Sequence, residues 1–374
     1  MGSGTRIDSV AVHGFTVPTD GPEGKEQDGT LDWDSTTLVL VEVTAGGSTG
    51  IGYTYADVTT AAFVTSKLQE GILGADALAP AALTHALFAS IRNAGRPGLG
   101  AMAVSAVDIA LWDLKAKLLD VPLFRLLPAY HDEVPVYGSG GFTNYSLDRL
   151  AEQLGGWAEQ GIPRVKLKTS RHPDQDPARL DAARRAVGPG TELFADANGA
   201  LSRKEALYWA WRMAEQWDVR WFEEPVSSAD SEGLRLVRLH GPGRLEVAAG
   251  EYCFTLPDAV HLVEAEAVDC LQADVTRCGG VSGLLQIEGL AAARQLDLSA
   301  HCAPAVSAHA FCAVERLRHL EYFHDHVRIE QLLFDGTLSP EGGALRPDPD
   351  RPGLGLDVRW ADAERYRAYG PSRS

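Results

Sequence analysis

The 374-residue chain is short of positive charge: 34 Lys and Arg stand against 51 Asp and Glu, a formal net charge of -17. So acidic a surface repels nucleic acid and anionic membranes, which excludes both as partners. It also gives no general attraction for an anionic substrate, so such a substrate must be held by local positive charge. Cysteine is sparse, five residues with no C-x-x-C spacing. That set reads as reduced and structural, neither a disulfide framework nor a zinc site. Cys302, beside His301, is weighed as a catalytic thiol and also reads as structural. No run of about 18 apolar residues occurs, so no transmembrane helix is expected. The opening "MGSGTRIDSV" has no apolar signal core, and the expected location is the cytoplasm.

What is present is the composition of a globular protein, 45% hydrophobic and 23% charged. "IDSVAVHGFTV" and "TTLVLVEVTAGGSTGIGYTYA" predict three strands, the last two joined by a Gly-rich turn. Helical patterns follow at about 61–74, 80–93 and 101–118. From "VPVYGSGG" onward, short apolar runs alternate with helical segments. The expected strands are 134–138, 164–168, 192–196, 219–223, 246–250, 270–274, 297–301 and about 317–321. Eight strands at this spacing predict an α/β fold, a TIM-type (β/α) barrel behind an N-terminal α+β capping domain. The expected division is 1–127 for the cap, 128–326 for the barrel and 327–374 for a Gly- and Pro-rich segment packing back on the cap. The polar stretch 21–34 is too long for a tight hairpin and is expected to be a mobile loop.

"RVKLKTS" carries the first functional signal. Val165 and Leu167 alternate with Lys166 and Lys168. With the apolar pair facing the helices, both lysines point into the barrel, where ammonium groups are costly without partners. In a barrel, reactive groups sit where strands end. The strand ends carry Lys168, Asp196, Glu223, Glu251, Asp274, His301 and Glu321, in steps of 28, 27, 28, 23, 27 and 20 residues. Singly, each has a bland explanation as a cap, an edge residue or a core histidine. Together they converge on one mouth.

Asp196, Glu223 and Glu251 come from consecutive strands and suit a hard divalent cation, Mg²⁺ before any other. A metal and a second ammonium beside it are expected to lower the pKa of Lys168 toward that of a usable base, with Lys166 as electrostatic helper. Asp274 next to His301 is expected to fix the imidazole tautomer. A base on either side of a metal is equipment for removing the proton α to a carboxylate.

"KLK" at 166–168, "DAN" at 196–198, "EEP" at 223–225, "GE" at 250–251, Asp274 with the glycines at 279–280, His301 and Glu321 together resemble the enolase superfamily, and within it the mandelate racemase subgroup. The resemblance covers nearly the whole chain. It implies one Mg²⁺ per subunit on Asp196, Glu223 and Glu251, with Mn²⁺ as a substitute. It further implies Lys168 and the Asp274–His301 dyad as bases, and Glu321 hydrogen-bonded to the substrate carboxylate. Lys166 and Asn198 would also meet substrate. Glu224 would stand behind the metal ligands or, equally, cap a helix. The cap would supply a lid near residues 18–33, whose Asp20, Glu23, Lys25, Glu26, Asp28 and Trp33 favour a hydroxylated substrate. The partner would be a small carboxylic acid, and the chain would form a homo-oligomer. The favoured reaction is dehydration of an aldonic or aldaric acid to a 2-keto-3-deoxy acid. The alternatives are a racemase or epimerase of a 2-hydroxy acid, a sugar-lactone cycloisomerase and, remotely, a non-catalytic binding protein.

Overall fold

The computed structural model describes residues 3–372. Three long strands, β1 (Ile7–Pro18), β2 (Ser35–Ala45) and β3 (Ser48–Tyr55), form an antiparallel meander. Two longer helices follow, α1 (Pro80–Ser90) and α2 (Leu99–Leu118). Val39, Val41 and Val43 of β2 pack with Val104, Val107 and Leu111 of α2 in one buried cluster. The helical pattern at 61–74 is realised over 59–72, interrupted by a wider turn at Val64–Leu68.

Eight strands then form the barrel: β4 (Val134–Gly140), β5 (Arg164–Lys168), β6 (Glu192–Asp196), β7 (Val219–Glu223), β8 (Glu246–Ala249), β9 (Cys270–Ala273), β10 (Asp297–Ala300) and β11 (Leu317–Phe323). Each pairs in parallel with the next, and β11 pairs back with β4, so the sheet closes. Closure removes the long free edges of the sheet, and the short strand Ala344–Leu345 adds antiparallel to Val134–Pro135 at the start of β4. The strands β8, β9 and β10 stop one residue short of the predicted ends, which puts Asp274 and His301 on the first loop position. Among the described residues, no helix is long and apolar enough to cross a membrane.

Strand alternation sorts the side chains as the lysine pattern requires. Val165, Leu167, Leu193, Ala195 and Phe222 join the outer core under the helices. The opposite faces carry Lys166, Lys168, Phe194, Asp196, Trp221 and Glu223, all buried. Tyr137, Phe194 and Trp221 pack with Ala248 and Cys270 as an aromatic floor one layer below the charges. Full burial of each large apolar side chain is worth roughly 1.5–3 kcal/mol, so the layer that seals the barrel also stabilises it. The helices follow ordinary rules. In α3 (Arg203–Trp217), Ser202 and Glu205 form a capping box, and Ala206, Trp209, Ala210 and Met213 make the buried stripe.

The chain returns to its start: β12 (Arg367–Tyr369) adds antiparallel to β1. The cap also grips the loop after β9. Ser105 Oγ of α2 accepts from the Gly279 amide at 2.9 Å, and Asp108 Oδ1 accepts from the Ser282 amide at 3.0 Å. Thr54 Oγ1 donates to the Thr276 carbonyl at 2.8 Å. Gly280 opens α4 (Gly280–Ala293) at a φ of +71°. A Cβ there would stand 2.2 Å from Asp108 Oδ1, so the second glycine of the motif serves the cap–barrel junction. Gly280→Ala is expected to lose about 2 kcal/mol or more of stability through strain and clash. Thermal unfolding tests this, and a wild-type melting profile would refute the assignment.

Candidate active site

The seven strand-end groups do converge. Lys166 Nζ lies 2.5 Å from Glu223 Oε1, 2.8 Å from Glu321 Oε1 and 3.4 Å from Asp196 Oδ2. Lys168 Nζ donates to Asp196 Oδ2 at 2.6 Å. Across the mouth, His301 Nδ1 meets Asp274 Oδ2 at 2.7 Å, while Nε2 stands 3.2 Å from Glu251 Oε2 and 3.5 Å from Glu321 Oε2. The Thr276 amide and hydroxyl both donate to Asp274 Oδ1, each at 2.7 Å. Asp274 is thereby fixed from one side and can orient the imidazole from the other. Glu251 follows Gly250, whose φ of +139° and lack of Cβ let the chain pass the Gln272 carbonyl, 2.2 Å from where a Cβ would be.

The charges set one another's protonation. Burial disfavours charge on Lys168, and Lys166 adds to that, but Asp196, Glu321 and Glu223 outweigh both and hold it above its ordinary value. The expected depression is therefore reversed when only the chain's own charges act. Lys166 is likewise raised against the effect of burial, by Glu223 and Glu321 first. Burial lifts Glu223 to about 7 despite Lys166. His301 is raised against burial by the carboxylates Glu251, Glu321 and Asp274. Cys302 Sγ lies 3.2 Å from Glu321 Oε2 and 3.3 Å from His301 Nε2. Burial, then Glu321, push its thiol well up, which makes it a donor and not a nucleophile.

Asp196 and Glu223 meet at Lys166, whereas Glu251 turns to His301 and to Arg277, 3.5 Å from Glu251 Oε1. Among the described residues, the tightest groupings of potential ligand atoms, within 4.8 Å of one another, are His301–Cys302–Glu321 and Asp20–Glu26–His324–Asp325. The donor chemistry of the mouth nevertheless fits a divalent cation. Asp196, Glu223, Glu224, Glu251, Asp274 and Glu321 are all buried there, against Lys166, Lys168, Arg277 and the imidazole. Glu224 Oε1 is buried with no hydrogen-bond partner, and burial, then Glu251, Asp196 and Glu223, push that carboxyl up. Added positive charge would relieve these carboxylates and lower Lys168 as the sequence reading expects.

Glu224 caps no helix. The helix after it begins at Ser231 and is capped by Asp230, and Glu224 instead sits at a φ of +36° behind the carboxylates. Asn198 lies beside Asp196, its amide donating to Asp196 Oδ1 at 2.8 Å, and its Oδ1 has no partner. Three contributors escape the one-charge-per-strand pattern. Trp221 Nε1 donates to Glu223 Oε2 at 2.9 Å, Ser139 Oγ donates to Glu321 Oε1 at 2.6 Å, and Arg277 Nε lies 3.4 Å from Asp274 Oδ2. Trp221 stands two residues before Glu223, so period-two counting puts it on the same inward face. Ser139 stands two residues after the inward Tyr137, so the same counting reaches it once the strand is carried past 138, while Arg277 carries no such signal.

Residues 19–34 fold over the mouth as the expected lid, but they are more ordered than a solvated loop. Glu26–Gln27 pairs with Asp32–Trp33 in a small hairpin, and Glu26 and Asp28 are buried. Thr30 Oγ1 donates to the Asn198 carbonyl at 3.3 Å, the Thr143 amide donates to the Gln27 carbonyl at 2.7 Å, and Arg171 Nη2 donates to Asp32 Oδ1 at 2.5 Å. Burial raises Asp28 against the pull of Lys168. Burial, then Asp325 and Asp20, push Glu26 up to about 10.

Lys166 is the hub of these pairings. Lys166→Met, studied in chelator, is expected to cost about 3–5 kcal/mol, because Glu223 and Glu321 are left buried without their cation. Urea unfolding measures this; an unchanged midpoint would show that those carboxylates are neutral in the wild-type fold.

Comparison with known proteins bears on what this arrangement does. Residues 149–363 match the enolase C-terminal domain-like family, and residues 30–128 match the mandelate racemase/muconate lactonizing enzyme N-terminal domain. The chain is 32% identical over 327 residues to the L-talarate/galactarate dehydratase of Salmonella typhimurium, covering 86% of this chain and 80% of that enzyme. A crystal structure of that enzyme with Mg and L-lyxarohydroxamate superposes with a TM-score of 0.88 at 29% identity, over 98% of this chain and 95% of that one. A 3,6-anhydro-alpha-L-galactonate cycloisomerase of Streptomyces coelicolor is also 32% identical, over 337 residues, 87% of this chain and 89% of that enzyme. A mandelate racemase/muconate lactonizing enzyme-like protein from Rubrobacter xylanophilus is 61% identical with a TM-score of 0.95, covering 97% of this chain and 100% of that one. With cap and barrel both matched, the chain belongs to the mandelate racemase/muconate lactonizing enzyme family, within the enolase superfamily of enzymes.

Proposed function

We propose that this enzyme dehydrates an acid sugar, an aldonic or aldaric acid, to a 2-keto-3-deoxy acid. The observation that carries the reading is the pair of bases on opposite sides of one carboxylate-rich mouth: Lys168 on β5, and His301 with Asp274 behind it. Named relatives on both the sequence and the structure side are sugar-acid dehydratases, which favours loss of water over simple inversion.

In this reading Glu321, held by Ser139 and Lys166, hydrogen-bonds the carboxyl end of the substrate. Lys166 keeps positive charge beside that end. Asn198 offers its free Oδ1 to a hydroxyl. Lys168 in its neutral form takes the α-proton. Protonated His301 gives its Nε2 proton to the departing β-hydroxyl, which leaves as water, and Asp274 keeps the imidazole aligned throughout. The enol product then tautomerises to the 2-keto acid. Asp196, Glu223 and Glu251 would hold Mg²⁺, or Mn²⁺ in its place, with Glu224 behind them. The ion would supply positive charge where negative charge develops on the substrate carboxylate. The lid excludes water from the closed site.

A second reading is favoured by one observation, the equal 32% identity to the Streptomyces coelicolor cycloisomerase. The same two bases then work without net loss of water. A screen of aldonic and aldaric acids and their lactones, with Mg²⁺ present, separates the two readings. A 2-keto acid product supports dehydration; α-proton exchange in deuterated water with no keto product moves the chain to the isomerase reading. Lys168→Ala is expected to lower turnover ~10²–10⁴-fold while Mg²⁺ still raises the melting temperature. Glu223→Ala is expected to lose both activity and that metal-dependent shift. A Glu223→Ala enzyme as active as wild type in chelator would overturn the metal assignment.

A further inference from the structure

The lid and the barrel share a second concentration of charge that the proposed reaction does not use. Asp20 and Glu26 belong to the lid, and His324 and Asp325 open α5 (His324–Leu333) directly after β11. One potential ligand atom from each lies within 4.8 Å of the others. Tyr145 donates to Glu26 Oε1 at 3.2 Å, and Glu26 Oε2 has no hydrogen-bond partner. Trp33 Nε1 donates to Asp325 Oδ2 at 3.0 Å and Thr36 Oγ1 at 3.5 Å, and Asp325 Oδ1 has no hydrogen-bond partner, with Arg328 Nη2 3.9 Å away. Both residues are 0% exposed. Asp20 Oδ1 meets His324 Nε2 at 2.9 Å and Arg149 Nη2 at 3.5 Å.

Two fully buried carboxyls that each keep an unsatisfied oxygen require something positive between them. A proton or a cation can serve. A proton joins only two oxygens, whereas here a third carboxylate and an imidazole nitrogen converge on the same volume. Three oxygen donors and one imidazole suit a borderline divalent ion, with bonds of about 2.0–2.2 Å. We propose that Asp20, Glu26, His324 and Asp325 form a second divalent-cation site, for Mn²⁺ or Zn²⁺, that latches the lid to the barrel. Because two ligands ride on the lid and two on the barrel, opening the lid breaks the site. Binding of the ion therefore favours the closed form, and closure raises affinity for the ion.

The test counts ions and watches the lid. The full-length enzyme is equilibrated with Mn²⁺, desalted and analysed for metal per chain. Trypsin cleavage after the exposed Lys25 reports lid opening. Wild type is expected to hold two Mn²⁺. Glu26→Gln and His324→Gln are each expected to hold one, as is Glu223→Gln, which removes the barrel site instead. Mn²⁺ should slow cleavage at least tenfold in Glu223→Gln and not in Glu26→Gln. A single ion in wild type that disappears in Glu26→Gln but survives in Glu223→Gln still supports the latch, while removing the barrel metal. The proposal is overturned if the Mn²⁺ count is the same in wild type, Glu26→Gln and His324→Gln, with cleavage indifferent to Mn²⁺. In that case a faster cut as pH rises identifies a shared proton between Glu26 and Asp325 as the bridge.

Discussion

One constraint governs the centre of this protein: the Lys166 ammonium is fully buried and must be answered by carboxylates, and they by it. An isolated ammonium in the barrel would be prohibitive, and so would Glu223 or Glu321 without a partner. Their close contacts make three expensive groups mutually tolerable. The remaining groups follow from that nucleus. Ser139 holds Glu321, Trp221 holds Glu223, and Asp196 extends the network to Lys168. The aromatic floor matters for the same reason. Packed rings below the charges keep water out, so these contacts act at low dielectric.

Much of this was legible because strand periodicity is strict. Two residues per repeat put Lys166 and Lys168 on one face, and the regular spacing of the β/α units put one ionisable group at each mouth position. What escaped has physical reasons. Glu224 stood open between a place behind the metal ligands and a helix cap, because its left-handed backbone and burial are set by packing that periodicity does not encode. The direction of the Lys168 shift depended on how many carboxylates reach it through space. Gly280 was read as part of a motif, but its reason lies 172 residues upstream, in the side chain of Asp108. The burial of Glu26 and Asp28 was hidden by the polar composition of the lid.

The lid differs in kind from the ring it covers. The ring is built from strand ends held by a closed sheet, while the lid is held by a scatter of polar contacts from Thr143, Arg171, Asn198 and Asp325. Such contacts are individually worth about 0.5–1.5 kcal/mol and can be exchanged with water one at a time. Rigidity therefore belongs to the ring and exchangeable contacts to the segment above it, a division common among enzymes whose loops close over substrate.

The grip of α2 on the loop after β9 has an evolutionary meaning. Ser105 and Asp108 of the cap anchor the segment that begins at Asp274, the partner of His301. The N-terminal part of the chain thus helps to place the loop whose first residue pairs with an imidazole of the barrel. Cap and barrel are not interchangeable modules. A lineage that exchanged this cap for another would lose the Ser105 and Asp108 anchors of that loop, so cap and loop must change together.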